Sequence, residues 1–304
     1  MQARIGLPQG LLNYQYGTVW EGFFRSIGAE VVVSGETTRE TLDCGSALDE
    51  ICLPAKVYYG HAVQLYKKVD YLFVPRVISV HKGQYTCPKI IGMPDMLRTN
   101  ISQLPPIIDI NVNLRQSTRD LYQAVTTVGR MAGKNAFASL NAWFRAWQNR
   151  DLSCGCSKVL PGDGNTPVAL IGHPYLIYDR QISMNIMAKM RQMGLTVLTA
   201  EMVDAKTADR AAAVLGKKIF WSSSHHLAGA ALALMSAPRP VKGVIFMTCF
   251  ACGPDALIGE LIAQRADAMN IPCMQLSIDE HTAEAGFITR LEAFADMLNW
   301  RWRQ

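Results

Sequence analysis

The stretch Val244-Ile-Phe-Met-Thr-Cys-Phe-Ala-Cys-Gly-Pro-Asp255 carries the reading of the fold. Val244 to Met247 is an unbroken apolar run, the pattern of a strand buried on both faces. The run ends at Cys249 and Cys252, spaced C-x-x-C, and a Gly-Pro breaker leads into a helical pattern from Asp255. Ligands of open α/β sheets gather at the carboxyl ends of strands. Two thiols at that place point to metal or redox chemistry rather than to packing.

The same grammar occurs elsewhere. Arg4-Ile-Gly-Leu-Pro8 reads as a strand, residues 11–27 as a helix stopped by Gly28, and Ala29-Glu-Val-Val-Val33 as a second strand. Leu170-Ile-Gly-His-Pro174, a helical stretch over 177–193, Gly194 and Leu195-Thr-Val-Leu198 repeat it. Pro8 to Gly28 and Pro174 to Gly194 are both 20 positions apart (28 − 8 and 194 − 174). Tyr71-Leu-Phe-Val-Pro75 then matches Val244–Met247, and Pro106-Ile-Ile-Asp-Ile110 matches Pro272-Cys-Met-Gln-Leu276. The expected fold is α/β, with two similar lobes built on parallel sheets and a site in the cleft between them. The expected boundaries are a first lobe over 1–113, a helical segment and linker over 114–165, and a second lobe over 166–304. Ser117 to Arg150 reads as helical, with Trp143, Phe144 and Trp147 packed against a lobe, and Cys154-Gly-Cys156 with Pro161-Gly-Asp-Gly164 reads as linker. A helix from about Ala283 to Trp300 ends the second lobe.

Bulk properties narrow the function. The 304 residues suffice for one large or two ordinary cores. Charged residues are 18% of the chain and the formal charge is +5, without a basic run, which disfavours a nucleic-acid partner. No signal-peptide pattern opens the chain, and no window reaches the ~18 uninterrupted apolar residues of a membrane span. The expectation is a cytoplasmic protein without a membrane partner. Eight cysteines in a reducing compartment are not read as four disulfides.

Three cysteine segments carry the candidate chemistry. Cys52 precedes Leu53-Pro54, and Pro54 fits the first turn of a helix running to Lys67, so its thiol sits where a helix dipole favours the thiolate. Cys87 is followed by Pro88, a step seen at iron–sulfur ligands. Cys252 is followed by Gly253, which lets backbone approach a bulky group. Three thiols on loops of two lobes suit an iron–sulfur cluster. Structural zinc, which favours tight pairs, is the rival, since only Cys249/Cys252 and Cys154/Cys156 are close. His61 and Lys56 could face such a cluster or an acidic partner, or be solvated helix residues. His225-His226 reads as part of a helix start. Asp279-Glu-His281 could be acid–base equipment or the cap of the last helix, and the cap is favoured. Phosphate-loop, dinucleotide and nucleophile-elbow motifs are absent from the sequence.

Several linked motifs resemble one family. They are Asp49-Glu-x-Cys-Leu-Pro-x-Lys…Gly-His61, Asp70-Tyr-x-Phe-x-Pro-Arg76, Tyr85-x-Cys-Pro-Lys…Gly-x-Pro-Asp95, Phe250-x-Cys-Gly-Pro-Asp255 and Asp279-Glu-His-Thr…Gly-Phe-Ile-Thr-Arg-Leu-Glu-Ala-Phe294. Together they resemble the acyl-CoA dehydratase activase-related proteins of the 2-hydroxyacyl-CoA dehydratase and double-cubane cluster superfamily. The resemblance implies two flavodoxin-like lobes and an anaerobic redox protein carrying a 4Fe-4S or double-cubane cluster. Its role would be that of a dehydratase- or reductase-like component, fed low-potential electrons by a separate ATP-dependent activase with its own cluster. Cys52, Cys87 and Cys252 match the family's ligand positions, and Cys249 is either a fourth ligand or a coincidental thiol. An acyl-CoA or other small substrate and a homo- or hetero-oligomer are further implications. A cluster carrier or scaffold and a zinc-stabilised binding protein are the other readings.

Overall fold

The apolar runs Arg4–Leu7, Tyr71–Phe73, Thr166–Ile171 and Gly243–Cys249 all become parallel strands in the computed structural model, which describes residues 2–46, 48, 51–150 and 166–303. The chain divides into two compact units, Met1–Cys154 and Gly155–Gln304. Its α/β class and its parallel sheets agree with the sequence reading.

The first unit begins with β1 (Arg4–Leu7), α1 (Asn13–Ser26), β2 (Glu30–Val33), α2 (Arg39–Gly45), α3 (Leu53–Gln64) and β3 (Tyr71–Phe73). It continues through β4 (Arg76–Ser79), α4 (Pro88–Ile91), α5 (Met93–Asn100), β5 (Ile107–Ile108), β6 (Asn111–Asn113), α6 (Arg119–Met131) and α7 (Ala136–Gln148). Its main sheet has the order β2-β1-β3-β5, and β4 pairs with β6 apart from it. Gly28, at φ +93°, ends α1 as its position in the sequence demands. Trp20 joins α1 to the sheet and to α7, with ring centroids 4.6 Å from Phe73 and 4.7 Å from Trp143. Trp143 is therefore buried, whereas Phe144 and Trp147 keep part of their surface in solvent. The 117–150 stretch is two helices rather than one: Gly133 turns the chain at φ +72°, and the Asn135 side chain caps α7 by accepting from the Ala138 N–H.

The second unit holds β7 (Thr166–Ile171), α8 (Pro174–Ile177), α9 (Ile186–Gln192), β8 (Leu195–Thr199), α10 (Ala205–Ala212) and α11 (Ser222–Met235). After them come β9 (Gly243–Cys249), α12 (Gly253–Ala268), β10 (Cys273–Ile278) and α13 (Glu284–Arg303). Its sheet runs β10-β9-β7-β8. Every residue of β9 is buried, and Phe246 and Val244 pack into an aliphatic core with Leu227, Ile258 and Ile262. The continuous helix expected over 177–193 does not form. Asp179 instead accepts hydrogen bonds from the N–H groups of Gln181 and Ile182. Met184 and Asn185 then take left-handed backbone, so helix restarts only at Ile186. The linker motifs at 154–164 lie outside the described residues. No helix among the described residues is long and apolar enough to cross a membrane.

The two sheets share one strand order. The first strand of each unit has its successor on one side and the next strand on the other, so the loops leaving β1 and β3, or β7 and β9, diverge. Those points are where doubly wound sheets open a crevice.

Glycines fix one close contact in the first unit. A Cβ on Gly60 of α3 would lie 1.8 Å from the Thr41 carbonyl oxygen of α2, and one on Gly45 would lie 2.0 Å from the Lys56 carbonyl oxygen. Gly60→Ala is expected to push α2 off α3 and to lower stability by roughly 2–3 kcal/mol or more, read by urea unfolding. An unchanged midpoint contradicts this packing.

Candidate functional site

The carboxyl ends of β7 and β9 bring a histidine, a carboxylate and two thiols together. His173 follows β7 in extended backbone, because Pro174 behind it opens α8. Its Nε2 lies 3.0 Å from Oδ1 of Asp255, a fully buried carboxylate in the first turn of α12. The Thr248 hydroxyl donates to Oδ2 of Asp255 at 3.4 Å. A buried carboxylate survives only with such partners, and the amino end of α12 adds its dipole. The Tyr175 ring stacks on His173 at 4.8 Å and 10°. Beside them, the Tyr178 hydroxyl donates to Glu201 at 3.0 Å and lies 3.0 Å from the Thr199 hydroxyl.

Cys249 is buried at the end of β9, and Cys252 is the N-cap residue of α12, partly exposed. The turn between them closes with the Cys252 N–H donating to the Cys249 carbonyl at 3.2 Å, and Ala251 sits in left-handed backbone at φ +65°. A hydrogen bond from the Cys249 thiol, the strongest influence, holds the Cys252 thiol below the ordinary cysteine range. Burial and the Asp255 charge push the other way, while the Asp255 backbone N–H and the His173 charge add to the lowering. Burial by itself would push His173 down. The charge and hydrogen bond of Asp255, with Cys252 and Glu201 adding, outweigh it and raise His173 above its ordinary 6.5. The arrangement is a thiol biased toward its thiolate beside a histidine biased toward its imidazolium, with the buried Asp255 carboxyl bonded to that histidine. Such a thiolate can act as a nucleophile or as a soft ligand.

The remaining sequence candidates fall as follows. Cys52 and Cys87 are the N-cap residues of α3 and α4, each with a proline in the first turn, as their sequence context requires. The structure brings Cys249 and Cys252 together. Among the described residues, however, no group of three or more His, Cys, Asp or Glu side chains is placed to hold a metal ion. No chemistry is derived through a 4Fe-4S or double-cubane cluster, whose expected ligands belong to both units. Gly253 leaves open space where a Cβ would stand, so packing does not require glycine there. Neither His61 nor Lys56 is solvated: both are buried on α3. His61 is held between the hydroxyls of Ser34, 2.9 Å away, and Thr37, 3.0 Å away. His225 lies 3.0 Å from Asp209, and His226 is 3.1 Å from the Ala200 carbonyl, which are structural roles. Asp279 accepts from the His281 N–H and the Thr282 hydroxyl, which closes the turn ahead of α13 rather than capping that helix. The Asp70 and Arg76…Asp95 motifs become ion pairs: Arg4 with Asp70, and a two-pronged Arg76–Asp95 contact at 2.7 and 2.8 Å. The Asp49-Glu50 part of the first motif lies outside the described residues.

Sequence reasoning missed His173 and Asp255. The signal was there, because His173-Pro174 ends the strand that repeats Leu7-Pro8, and Asp255 closes the Cys-Gly-Pro-Asp motif.

Two outcomes follow from these geometries. Iodoacetamide should alkylate Cys252 with a pH midpoint below the usual ~8.5, and Cys249→Ala should move that midpoint up by removing the thiol donor. Cys273, whose thiol burial pushes up to about 11, should stay unmodified at neutral pH. A Cys252 midpoint at or above that of an ordinary cysteine contradicts the site. His61 titrates the other way, since burial lowers it to about 4 from 6.5. Between those values the unfolded chain binds the extra proton, so stability is full above about pH 6.5 and is lost as pH falls toward 4, by up to roughly 3 kcal/mol. Urea unfolding at pH 7.5 and pH 5 should show that loss in the wild type and a smaller one in His61→Gln.

One family model matches the chain, that of the CoA enzyme activase uncharacterised domain (DUF2229), over residues 4–203, two thirds of its length. No curated protein matches it. The family's description corrects the function expected from sequence. A cluster-bearing dehydratase- or reductase-like component was to receive electrons from a separate activase, whereas the match lies on the activase side, and the described residues assemble no metal site. The matched span includes His173 and ends before Cys249, so the thiol pair rests on geometry alone. Over residues 4–203 the chain belongs to the CoA enzyme activase family described by that domain.

Proposed function

We propose that this chain is a thiol-bearing component of CoA enzyme activation, which acts on a partner enzyme through Cys252. Family membership supplies the activation context and the existence of a partner enzyme. The observation that supports the chemistry is the Cys252 thiol, lowered by its hydrogen-bonded neighbour Cys249 and, to a lesser degree, by the His173 charge that Asp255 sustains.

In this reading the Cys252 thiolate attacks a disulfide of the partner and one partner sulfur leaves as a thiolate. Cys249 then gives up its proton and attacks the mixed disulfide, so the Cys249–Cys252 pair is oxidised and the partner is reduced by two electrons. A cellular dithiol reductant returns the pair to its starting state. The buried Cys249 is the resolving thiol, and the partly exposed Cys252 meets the partner first. Phe250, 72% exposed in the same turn, and Leu257 and Leu261, one helical turn apart on α12, give the partner an apolar surface beside the sulfur.

The cytoplasm, where thiols are kept reduced, is the compartment this chemistry suits. Kinship with the wider 2-hydroxyacyl-CoA dehydratase superfamily rests on the sequence motifs alone and enters the proposal at the level of ancestry. Fold kinship does not carry a substrate with it.

The test is activation of the cognate CoA enzyme in a reconstituted mixture. Cys252→Ser and Cys249→Ser should each reduce activation by at least tenfold, and Cys249→Ser should accumulate a mixed disulfide with the enzyme. Cys273→Ser should activate normally. Full activation by Cys252→Ser overturns the proposal.

A further inference from the structure

At the carboxyl ends of β1 and β3, where the sheet of the first unit opens, lies a pocket with about 520 Å³ between its walls, part of it open to solvent. Such a crevice is the usual ligand position of this strand order. Its walls are apolar: Leu7, Leu12, Trp20, Phe73, Val77 and Met93. Two phenols, Tyr16 and Tyr58, also line it, and no described residue serves as a hydrogen-bond partner for either hydroxyl. Tyr58 is only 7% exposed. Burial pushes both phenols up, so both keep their protons at neutral pH and remain donors. Neither hydroxyl oxygen is fully buried, so both open onto the solvent of the pocket, where a bound acceptor can take the place of water.

The backbone at this place is also unusual. Leu11, buried and on the pocket wall, takes left-handed backbone at φ +45° directly after Gly10 at φ +130°. A branched residue in that region stores strain of about 1–3 kcal/mol, and such strain collects at ligand sites. It sets the turn that carries β1 into α1 and so places Asn13 and Tyr16 on the pocket.

We propose that the first unit binds a compact apolar molecule bearing a carbonyl-type acceptor in this pocket, with the acceptor on the Tyr16 and Tyr58 hydroxyls. The site is separate from the thiolate site and does not rest on its chemistry. The walls offer no cation and no carboxylate, so the apolar body sets affinity and the phenols set orientation.

The probes are acetophenone, which has the acceptor, and ethylbenzene, its match without one, titrated against the full chain by saturation-transfer NMR. Both should bind saturably. The double variant Tyr16→Phe, Tyr58→Phe should weaken acetophenone by about three- to tenfold and leave ethylbenzene unchanged. Asn13→Trp, at the partly exposed part of the wall, should block both. Thermal melts show whether each variant is folded, and the phenylalanine pair, which removes only two oxygens, decides the matter if Asn13→Trp is not. Absence of saturable acetophenone binding overturns the proposal. So does equal acetophenone affinity in the wild type and the phenylalanine pair, or unimpaired binding to folded Asn13→Trp.

Discussion

The burial of Asp255 constrains everything around the thiols. A carboxylate with no exposed surface requires a cation and donors within reach, and it finds them in His173, Thr248 and the amino end of α12. That requirement joins the loops after β7 and β9, which the strand order would otherwise send apart. Asp255 biases His173 toward its imidazolium, and Cys252 is drawn toward its thiolate chiefly by the hydrogen bond from Cys249, with the His173 charge adding to it. Ala251 in left-handed backbone is the local strain that accompanies the close approach of the two cysteines.

The sheets of the two units use their openings differently. In the second, prolines and helix starts deliver polar and sulfur groups to the divergence of β7 and β9. In the first, the corresponding place after β1 and β3 is apolar, with two phenols as its polar atoms of note. A histidine follows β7 where leucine ends β1, which is one of the differences between the two openings.

Much of the framework could be read from residues alone, because strands buried on both faces leave continuous apolar runs and helix ends leave glycines. Val244–Met247, Gly28 and Gly194 are examples, and the prolines after Cys52 and Cys87 place both cysteines at helix starts. What could not be read depends on contacts between distant residues. The break at 178–185 arises from Asp179 turning back on its own backbone, which helical spacing of apolar residues does not register. Gly-His61 looked like part of a cofactor motif, yet Gly60 admits the Thr41 carbonyl and His61 is a neutral, hydroxyl-bound core residue. Cysteines at helix starts suggested a cluster because sequence shows where a thiol begins a helix but not whether a third donor joins it. Cys249, the least certain member of the set, is the thiol that bonds to Cys252 within the second unit.

The most direct measurement of the thiolate–imidazolium account is the protonation of His173, followed by the ¹⁵N shifts of its ring as pH is raised. The account predicts an imidazolium that persists above pH 6.5 in the wild type and gives way to neutral imidazole at neutral pH in Asp255→Asn. A His173 that titrates at or below 6.5 in the wild type, with no response to Asp255→Asn, would contradict it.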